Sequence, residues 1–133
     1  MTAVRPAYFD SSFLIAAVEP EDRRHVNARS VVASSSVRIT SIVAELEVLR
    51  ALGRRGAAST VVNDAHEMLS AFALVELTHD IRARAVEMRP TVLRSLDAIH
   101  LATALVGAAD EFHTFDERQR VAAEELGLSV VPA

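Results

Sequence analysis

Apolar positions along the chain fall into short β-branched or aromatic runs that alternate with longer segments of helical composition. This alternation is typical of an α/β protein in which helices connect the strands of a parallel sheet. The short runs predict five strands, at Ala7–Asp10, Val37–Thr40, Ala73–Leu77, Glu111–Phe115 and Leu128–Val131. The longer segments predict seven helices, at Ser12–Val18, Glu21–Ser34, Ile42–Leu52, Ala58–Ala71, Asp80–Met88, Leu96–Ala108 and Glu117–Leu126.

Several boundaries carry residues that favour helix ends. Ser41, Ser95 and Asp116 stand just before predicted helices, where a side-chain oxygen accepts hydrogen bonds from free backbone N–H groups. Gly127 follows the last predicted helix, and a glycine there can adopt the left-handed conformation that ends many helices. These residues support three helix starts and one helix end.

The composition fits one globular domain. The chain has 133 residues, 50% of them apolar, and no internal repeat or linker-like segment, so we expect a single domain over residues 1–133. The absence of cysteine excludes disulfides, thiolate metal sites and a cysteine nucleophile, and it is compatible with a reducing cytoplasm. The longest run without Asp, Glu, Lys or Arg has 12 residues, from Ala98 to Ala109. A membrane helix needs roughly 18, so we expect a cytoplasmic protein that does not contact a membrane.

All fourteen basic residues are arginines, and eighteen acidic residues give a formal net charge of −4. Without lysine, the chain cannot form a Schiff base, bind phosphate through a P-loop or contact a phosphoaspartate through an ammonium group. The acidic surplus also argues against a nucleic-acid partner, because proteins that bind nucleic acids normally carry a basic surplus.

Two aspartates end predicted strands. Asp10 ends the first strand and Asp116 ends the fourth. Ligands of an open parallel sheet bind beyond the carboxyl ends of its strands, so both carboxylates are candidates for a functional site. The competing interpretation is that each merely caps the helix that follows it. Asp97, in the first turn of an apolar helix, is a third candidate, and its competing role is to stabilise the helix dipole.

A fourth acid lies on the helix after the second strand, where Glu45 and Glu47 compete. At 100° per residue, Ile42, Leu46 and Leu49 define the apolar stripe of this helix, and Glu45 lies at its edge. Glu47 projects toward the far side. The helical wheel therefore favours Glu45 as the more enclosed acid, although it does not show which side faces the crevice.

Several carboxylates at one crevice would repel one another unless a divalent cation neutralised them. Oxygen ligands without cysteine select hard ions such as Mg²⁺ or Mn²⁺. Such sites serve phosphoryl transfer, so the acids indicate a metal-dependent phosphodiesterase or nuclease.

Four segments, in this order and at these spacings, resemble the PIN-domain ribonucleases, and most of all the VapC toxins of bacterial toxin–antitoxin pairs. They are Tyr8–Ser12 (YFDSS), Thr40–Ala51 (TSIVAELEVLRA), Arg94–Ala102 (RSLDAIHLA) and Thr114–Asp116 (TFD). The resemblance covers essentially the whole chain. It implies a three-layer α/β/α fold with a five-stranded parallel sheet of order 3-2-1-4-5.

The resemblance also implies a quartet of catalytic, metal-binding acids: Asp10, Glu47, Asp97 and Asp116. Glu47 is chosen because the family's glutamate stands six residues after a serine and three before an arginine, here Ser41 and Arg50. This choice conflicts with the preference of the helical wheel for Glu45. Ser12 is implied as a hydroxyl near the metal or the phosphate.

The implied activity is hydrolysis of RNA phosphodiester bonds by metal-activated water, with Mg²⁺ as the cofactor and Mn²⁺ as a substitute. The implied partners are a VapB-type antitoxin that crosses the active-site groove, an RNA of the tRNA or rRNA class, and a second copy in a homodimer. Phe13, Leu14 and Ile15, with the apolar parts of the helix over Ile42–Leu52, are candidates for lining that groove. The competing interpretation is that these residues pack in the core.

The guanidinium group of arginine suits phosphate oxygens, so the arginines near the acids are candidates for substrate contacts. The candidates are Arg50, Arg54, Arg55 and Arg94, and more weakly Arg118 and Arg120. The competing interpretation is that each is a solvated surface residue. His100 lies three residues after Asp97 on the same helix face, so the two could be taken for a metal-binding pair. We expect His100 instead to be a packed or hydrogen-bonded core histidine.

Three other functions compete with this one. A receiver-type signalling domain would need a lysine, and a haloacid-dehalogenase-like phosphatase would need an aspartate where Ser12 stands. A catalytically silent PIN-fold module that binds RNA or protein remains the alternative.

Overall fold

The computed structural model describes residues 4–91 and 93–132. Five strands lie in this part of the chain: β1 Ala7–Phe9, β2 Arg38–Ser41, β3 Ala73–Val75, β4 Glu111–His113 and β5 Ser129–Val131. Seven helices connect or follow them: α1 Ser11–Val18, α2 His25–Ser34, α3 Ile42–Arg54, α4 Ser59–Leu69, α5 His79–Val86, α6 Ser95–Val106 and α7 Glu117–Glu125. Each predicted element is therefore present, with shifts of a few residues at most ends.

The strands form one parallel sheet of order β3-β2-β1-β4-β5, which confirms the predicted α/β fold and strand order. At its centre, Tyr8 of β1 pairs with Ile39 of β2 on one side and Phe112 of β4 on the other. Because every strand runs the same way, their carboxyl ends meet at one edge of the sheet.

Helices cover both faces of the sheet. Successive side chains of a strand point to opposite faces, and Tyr8 and Phe9 enter different cores. Phe9 packs in a cluster with residues of α1, α2, α3 and α4. Tyr8 packs in a second cluster with residues of α5, α6 and α7. These two apolar layers fix the three-layer architecture. No helix in the part of the chain that the structure describes is long and apolar enough to cross a membrane.

Helix α2 begins at His25, four residues later than the predicted Glu21. The carboxylate of Asp22 accepts hydrogen bonds from the backbone N–H of Arg24, at 2.8 Å, and from its guanidinium, at 3.0 Å. This local pairing gives the backbone an alternative to the helix, which explains the later start.

The predicted caps are correct at two of the three helix starts. Ser41 accepts from the N–H of Ala44 at the start of α3, and Asp116 accepts from two N–H groups at the start of α7. Ser95 is instead the first residue of α6, after Arg94, whose side chain makes no capping hydrogen bond. Gly127 follows α7 with a φ of 86°, in the left-handed region that glycine favours.

Candidate active site at the carboxyl edge of the sheet

A crevice of about 300 Å³ opens at the carboxyl edge of the sheet. All four acids of the predicted quartet line it, and each reaches it from a different element or loop. Its lining comprises Asp10, Ser11, Ser12, Glu47, Arg94, Ser95, Leu96, Asp97, His100, Asp116 and Gln119. Residues far apart in the sequence thus meet where the parallel topology places functional groups.

Asp10 is the most deeply enclosed acid of the crevice, with 1% of its surface exposed. It follows β1 and caps α1, since Oδ1 accepts from the backbone N–H of Phe13 at 3.0 Å. Burial raises the pKa of the Asp10 carboxyl, and hydrogen bonds to it offset only part of this effect. The capping role and a place in the site therefore coincide at this residue.

Each oxygen of Asp10 accepts two hydrogen bonds. Besides the N–H of Phe13, Oδ1 accepts from Ser12 Oγ at 2.7 Å. Oδ2 accepts from the hydroxyl of Thr114 and from Gln119 Nε2, the latter at 3.1 Å. Ser12 therefore lies beside the carboxylate, as the resemblance implied, and the donors fix the orientation of Asp10 from both sides of the sheet.

The roles of Thr114 and Gln119 were not predicted from the sequence. Thr114 directly follows β4, and its Oγ1 also accepts from the N–H of Asp116 at 2.9 Å. Gln119 lies three residues after Asp116 on the first turn of α7, a spacing that faces both residues toward the crevice. That spacing was the available clue, but a glutamine three residues after an aspartate is also common on solvated helix surfaces.

The negative charge of Asp116 acts on Asp97 across the crevice. Burial raises the pKa of Asp97, and the negative charge of Asp116 raises it further. Asp116 Oδ1 accepts from the N–H groups of Arg118 and Gln119, at 2.9 and 3.2 Å. Asp116 therefore caps α7 while it contributes negative charge to the crevice.

Of the two competing glutamates, Glu47 lines the crevice and Glu45 does not. The helical wheel was wrong about Leu46, which it took as part of the buried stripe, because this residue is 59% exposed. The buried face of α3 is made instead by Ala44, Val48, Ala51 and Leu52. Small residues on this face let α3 pack closely, and they carry less weight than leucine in a hydrophobicity pattern.

His100 is a buried, hydrogen-bonded histidine, as predicted from the sequence. Its Nδ1 lies 2.6 Å from the hydroxyl of Tyr8, and its Nε2 lies 2.8 Å from Oε1 of Glu47. His100 is therefore linked to one of the four acids.

A second groove, of about 450 Å³, adjoins the crevice. Its apolar wall contains Ile15 and Leu46, and its rim carries Arg50 and Arg54. Of the three candidate residues on α1, Ile15 lines this groove, whereas Phe13 and Leu14 take the competing role in the core. Both are buried in the core, because helix α1 turns them toward the sheet.

The other candidate arginines are dispersed. Arg94 lines the crevice beside Asp97. Arg55 points elsewhere, toward Glu19 at 3.8 Å. Arg118 lines a separate small apolar pocket, and Arg120 pairs with Glu124 at 3.3 Å.

The carboxylate oxygens of the crevice suit a hard divalent cation, because such a cation prefers oxygen ligands. Burial raises the pKa values of Asp10 and Asp97, and the charge of Asp116 adds to the effect at Asp97. A bound cation would offset both causes. Within residues 4–91 and 93–132, however, no three His, Asp or Glu side chains stand close enough to hold one ion together. Direct ligation by three of the acids therefore requires rotation of at least one of these side chains.

The fold and the site define the class of protein: an α/β protein with a parallel sheet and an acidic crevice at its carboxyl edge. Residues 7–125 match the family model described as PIN domain, and the chain belongs to this family.

Two curated relatives come from Mycobacterium tuberculosis. Ribonuclease VapC46 is 34% identical over 131 residues, a stretch that covers 93% of this chain and 95% of the relative. Ribonuclease VapC35 is 37% identical over 97 residues, or 70% of each chain.

Solved structures show the same fold. The structure of M. tuberculosis VapC20, described as a sarcin-ricin loop cleaving toxin, superposes with a TM-score of 0.75 and 25% identity over 87% of this chain and 94% of that one. A chain of a toxin–antitoxin complex from Klebsiella pneumoniae superposes with a TM-score of 0.69 and 23% identity, covering 85% and 88%.

Proposed function

We propose that this PIN-domain protein is an Mg²⁺-dependent endoribonuclease that acts as the toxin of a toxin–antitoxin pair. The observation that carries the proposal is the convergence of Asp10, Glu47, Asp97 and Asp116 on one crevice. The relatives named as ribonucleases support the reaction, and the likeness to VapC20 supports the role of toxin.

Asp10 and Asp97 are the proposed direct ligands of Mg²⁺ or Mn²⁺, with Glu47 and Asp116 completing its coordination. When bound, the cation supplies activated water and stabilises negative charge on the phosphate. The chain itself need not supply a nucleophile. The hydroxyls of Ser12 and Thr114 both donate to Asp10, so they are engaged in orienting a carboxylate.

Four carboxylates repel a phosphodiester, and arginines near the crevice would offset that repulsion. Arg94 lies on the crevice, and Arg50 and Arg54 lie on the adjoining groove. Their planar guanidinium groups suit bidentate contacts with phosphate oxygens. These three are the proposed substrate contacts for an RNA of the tRNA or rRNA class.

The proposed protein partners are a VapB-type antitoxin and a second copy of the chain. The apolar wall of the adjoining groove, with Leu46 exposed beside Glu47, offers the antitoxin a surface from which it would block the crevice. Co-purification with the product of a neighbouring reading frame tests this partner, and Leu46→Asp should weaken the complex. Light scattering of the purified chain tests the homodimer.

The direct test of activity is cleavage of purified tRNA and rRNA in the presence of Mg²⁺ or Mn²⁺. We expect cleavage that stops when EDTA removes the metal and that is lost in Asp10→Asn. Asn keeps the size of the side chain but removes the charge. Binding without cleavage by the wild-type protein across the RNA panel would overturn the proposal and favour a silent RNA-binding module.

A further inference from the structure

A chain of hydrogen bonds links the buried core to Glu47. The hydroxyl of Tyr8 on β1 lies 2.6 Å from His100 Nδ1, and His100 Nε2 on α6 lies 2.8 Å from Oε1 of Glu47 on α3. Tyr8 and His100 are almost fully buried, at 0% and 1% exposure, whereas 28% of the Glu47 side chain is exposed. The hydrogen bonds therefore run from the rigid interior to the wall of the crevice.

The chemistry of the three groups fixes the direction of these hydrogen bonds. An ionised carboxylate only accepts, so His100 Nε2 carries the hydrogen that is donated to Glu47. In the neutral ring, Nδ1 then has a free lone pair and accepts the hydroxyl hydrogen of Tyr8. Both ring nitrogens of His100 and the Tyr8 hydroxyl have a partner in this arrangement, which defines one tautomer and one ring orientation.

The same packing holds the histidine ring in place. The Tyr8 ring stacks on Phe112, with centroids 5.3 Å apart, and meets the His100 ring edge-on at 5.8 Å. His100 lies one helical turn after Asp97, so a single turn of α6 carries one crevice acid and contacts another.

We propose that Tyr8 and His100 are positioning residues that hold Glu47 in a conformation competent to bind the divalent cation. Glu47 has several rotatable bonds and is partly exposed, and an unrestrained side chain of this kind loses conformational freedom when it binds an ion. The hydrogen bond from His100 restrains Oε1 in advance and leaves Oε2 for the metal. This inference rests on the proposed function, since it assigns a role to residues behind the proposed metal ligand.

The readout that tests it is Mn²⁺ affinity, measured by electron paramagnetic resonance of the free ion, without reference to cleavage. His100→Asn keeps an oxygen that can accept from Tyr8 but is too short to reach Glu47. We expect it to weaken Mn²⁺ binding by about 10 to 100-fold, the usual effect of removing a group that orients a ligand. Tyr8→Phe, which removes only the hydroxyl, should weaken binding in the same direction by a smaller factor.

His100→Gln provides rescue, because its amide nitrogen can occupy the place of Nε2 and donate to Glu47. It should bind Mn²⁺ more tightly than His100→Asn. His25→Asn is the matched control, because this histidine also makes a hydrogen bond, from Nδ1 to the Ala16 carbonyl, but lies outside the crevice. Its Mn²⁺ affinity should equal that of the wild type.

A double variant separates action through Glu47 from general damage. If His100 acts through Glu47, Glu47→Gln combined with His100→Asn should bind Mn²⁺ no more weakly than Glu47→Gln alone. Additive losses would overturn the inference. Wild-type affinity in folded Tyr8→Phe and His100→Asn would overturn it as well, while leaving the proposed function intact. Failure of the wild-type protein both to bind Mn²⁺ and to cleave RNA would overturn the proposed function and this inference together.

Discussion

Glu45 and Glu47 are two residues apart on α3, and only Glu47 faces the crevice and the imidazole of His100. Glu47→Gln keeps an oxygen that can accept from His100 but removes the charge that would attract a cation. We expect at least a roughly 10-fold slower cleavage of RNA in Mg²⁺. Glu45→Gln is the matched control and should cleave at the wild-type rate. Equal rates for Glu47→Gln and wild type would refute the assignment.

Asp97 combines a proposed role in activity with a cost to stability. Burial and the charge of Asp116 raise its pKa, so the folded state disfavours the ionised carboxylate at pH 7. Asp97→Asn should therefore increase the free energy of unfolding of the metal-free protein by about 0.2 to 1 kcal/mol, the range measured for exposed charge interactions. The same variant should lose cleavage, as expected when a charged site is held at the expense of stability.

The pH dependence of this gain has a defined sign. Between the ordinary pKa of the unfolded chain and the raised pKa of the folded one, the folded state binds more protons. Acidification through that window therefore stabilises wild type relative to Asp97→Asn, and the advantage of the variant shrinks as the pH falls. Urea denaturation of wild type and Asp97→Asn in EDTA, at pH 7 and at mildly acidic pH, measures the difference in their free energies of unfolding at each pH. A variant less stable than wild type at pH 7 would contradict the expectation.

At the scale of elements, Ser41 both ends β2 and caps α3, the helix that carries Glu47. Its hydroxyl accepts from the N–H of Ala44 at 2.9 Å. Ser41→Ala should lower the free energy of unfolding by about 1 kcal/mol, because it leaves that buried N–H without its partner. Ser34→Ala, the same change at an exposed serine, should stay within about 0.5 kcal/mol of wild type. Thermal unfolding of both variants makes the comparison, and equal melting temperatures would argue against the cap.

The sequence predicted the elements well because strands and helices differ in the period of their apolar residues. It failed where one local contact decided the outcome. The carboxylate of Asp22 delays α2. Two of the four buried residues of α3 are alanines, Ala44 and Ala51, while Leu46 faces outward. Asp10 and Asp116 were found because they follow strands, whereas Glu47 was chosen from the family resemblance. Thr114 and Gln119 were missed, because their partner is an oxygen of Asp10 that lies about a hundred residues earlier in the chain.

At the scale of the molecule, the four acids of the proposed site account for the whole net negative charge. The net charge is −4, and outside the quartet the remaining acids equal the fourteen arginines in number. The acidic surplus that argued against a nucleic-acid partner therefore equals the charge of the proposed site. A divalent cation would be drawn to this local excess.

Binding of Mg²⁺ to the folded chain alone should raise its stability by mass action. At a concentration 100 times the dissociation constant, the expected gain is about 2.7 kcal/mol. Calorimetry with and without EDTA measures the shift in melting temperature. Asp10→Asn should show little shift, and an equal shift in that variant would place the bound ion elsewhere.

The four acids that meet at the crevice are spread along the chain from Asp10 to Asp116, and Asp116 lies between β4 and α7. During translation, a ribosome holding a shorter nascent chain would carry only part of the quartet. The enzyme would therefore acquire its activity only after the ribosome has read the codons of all four acids.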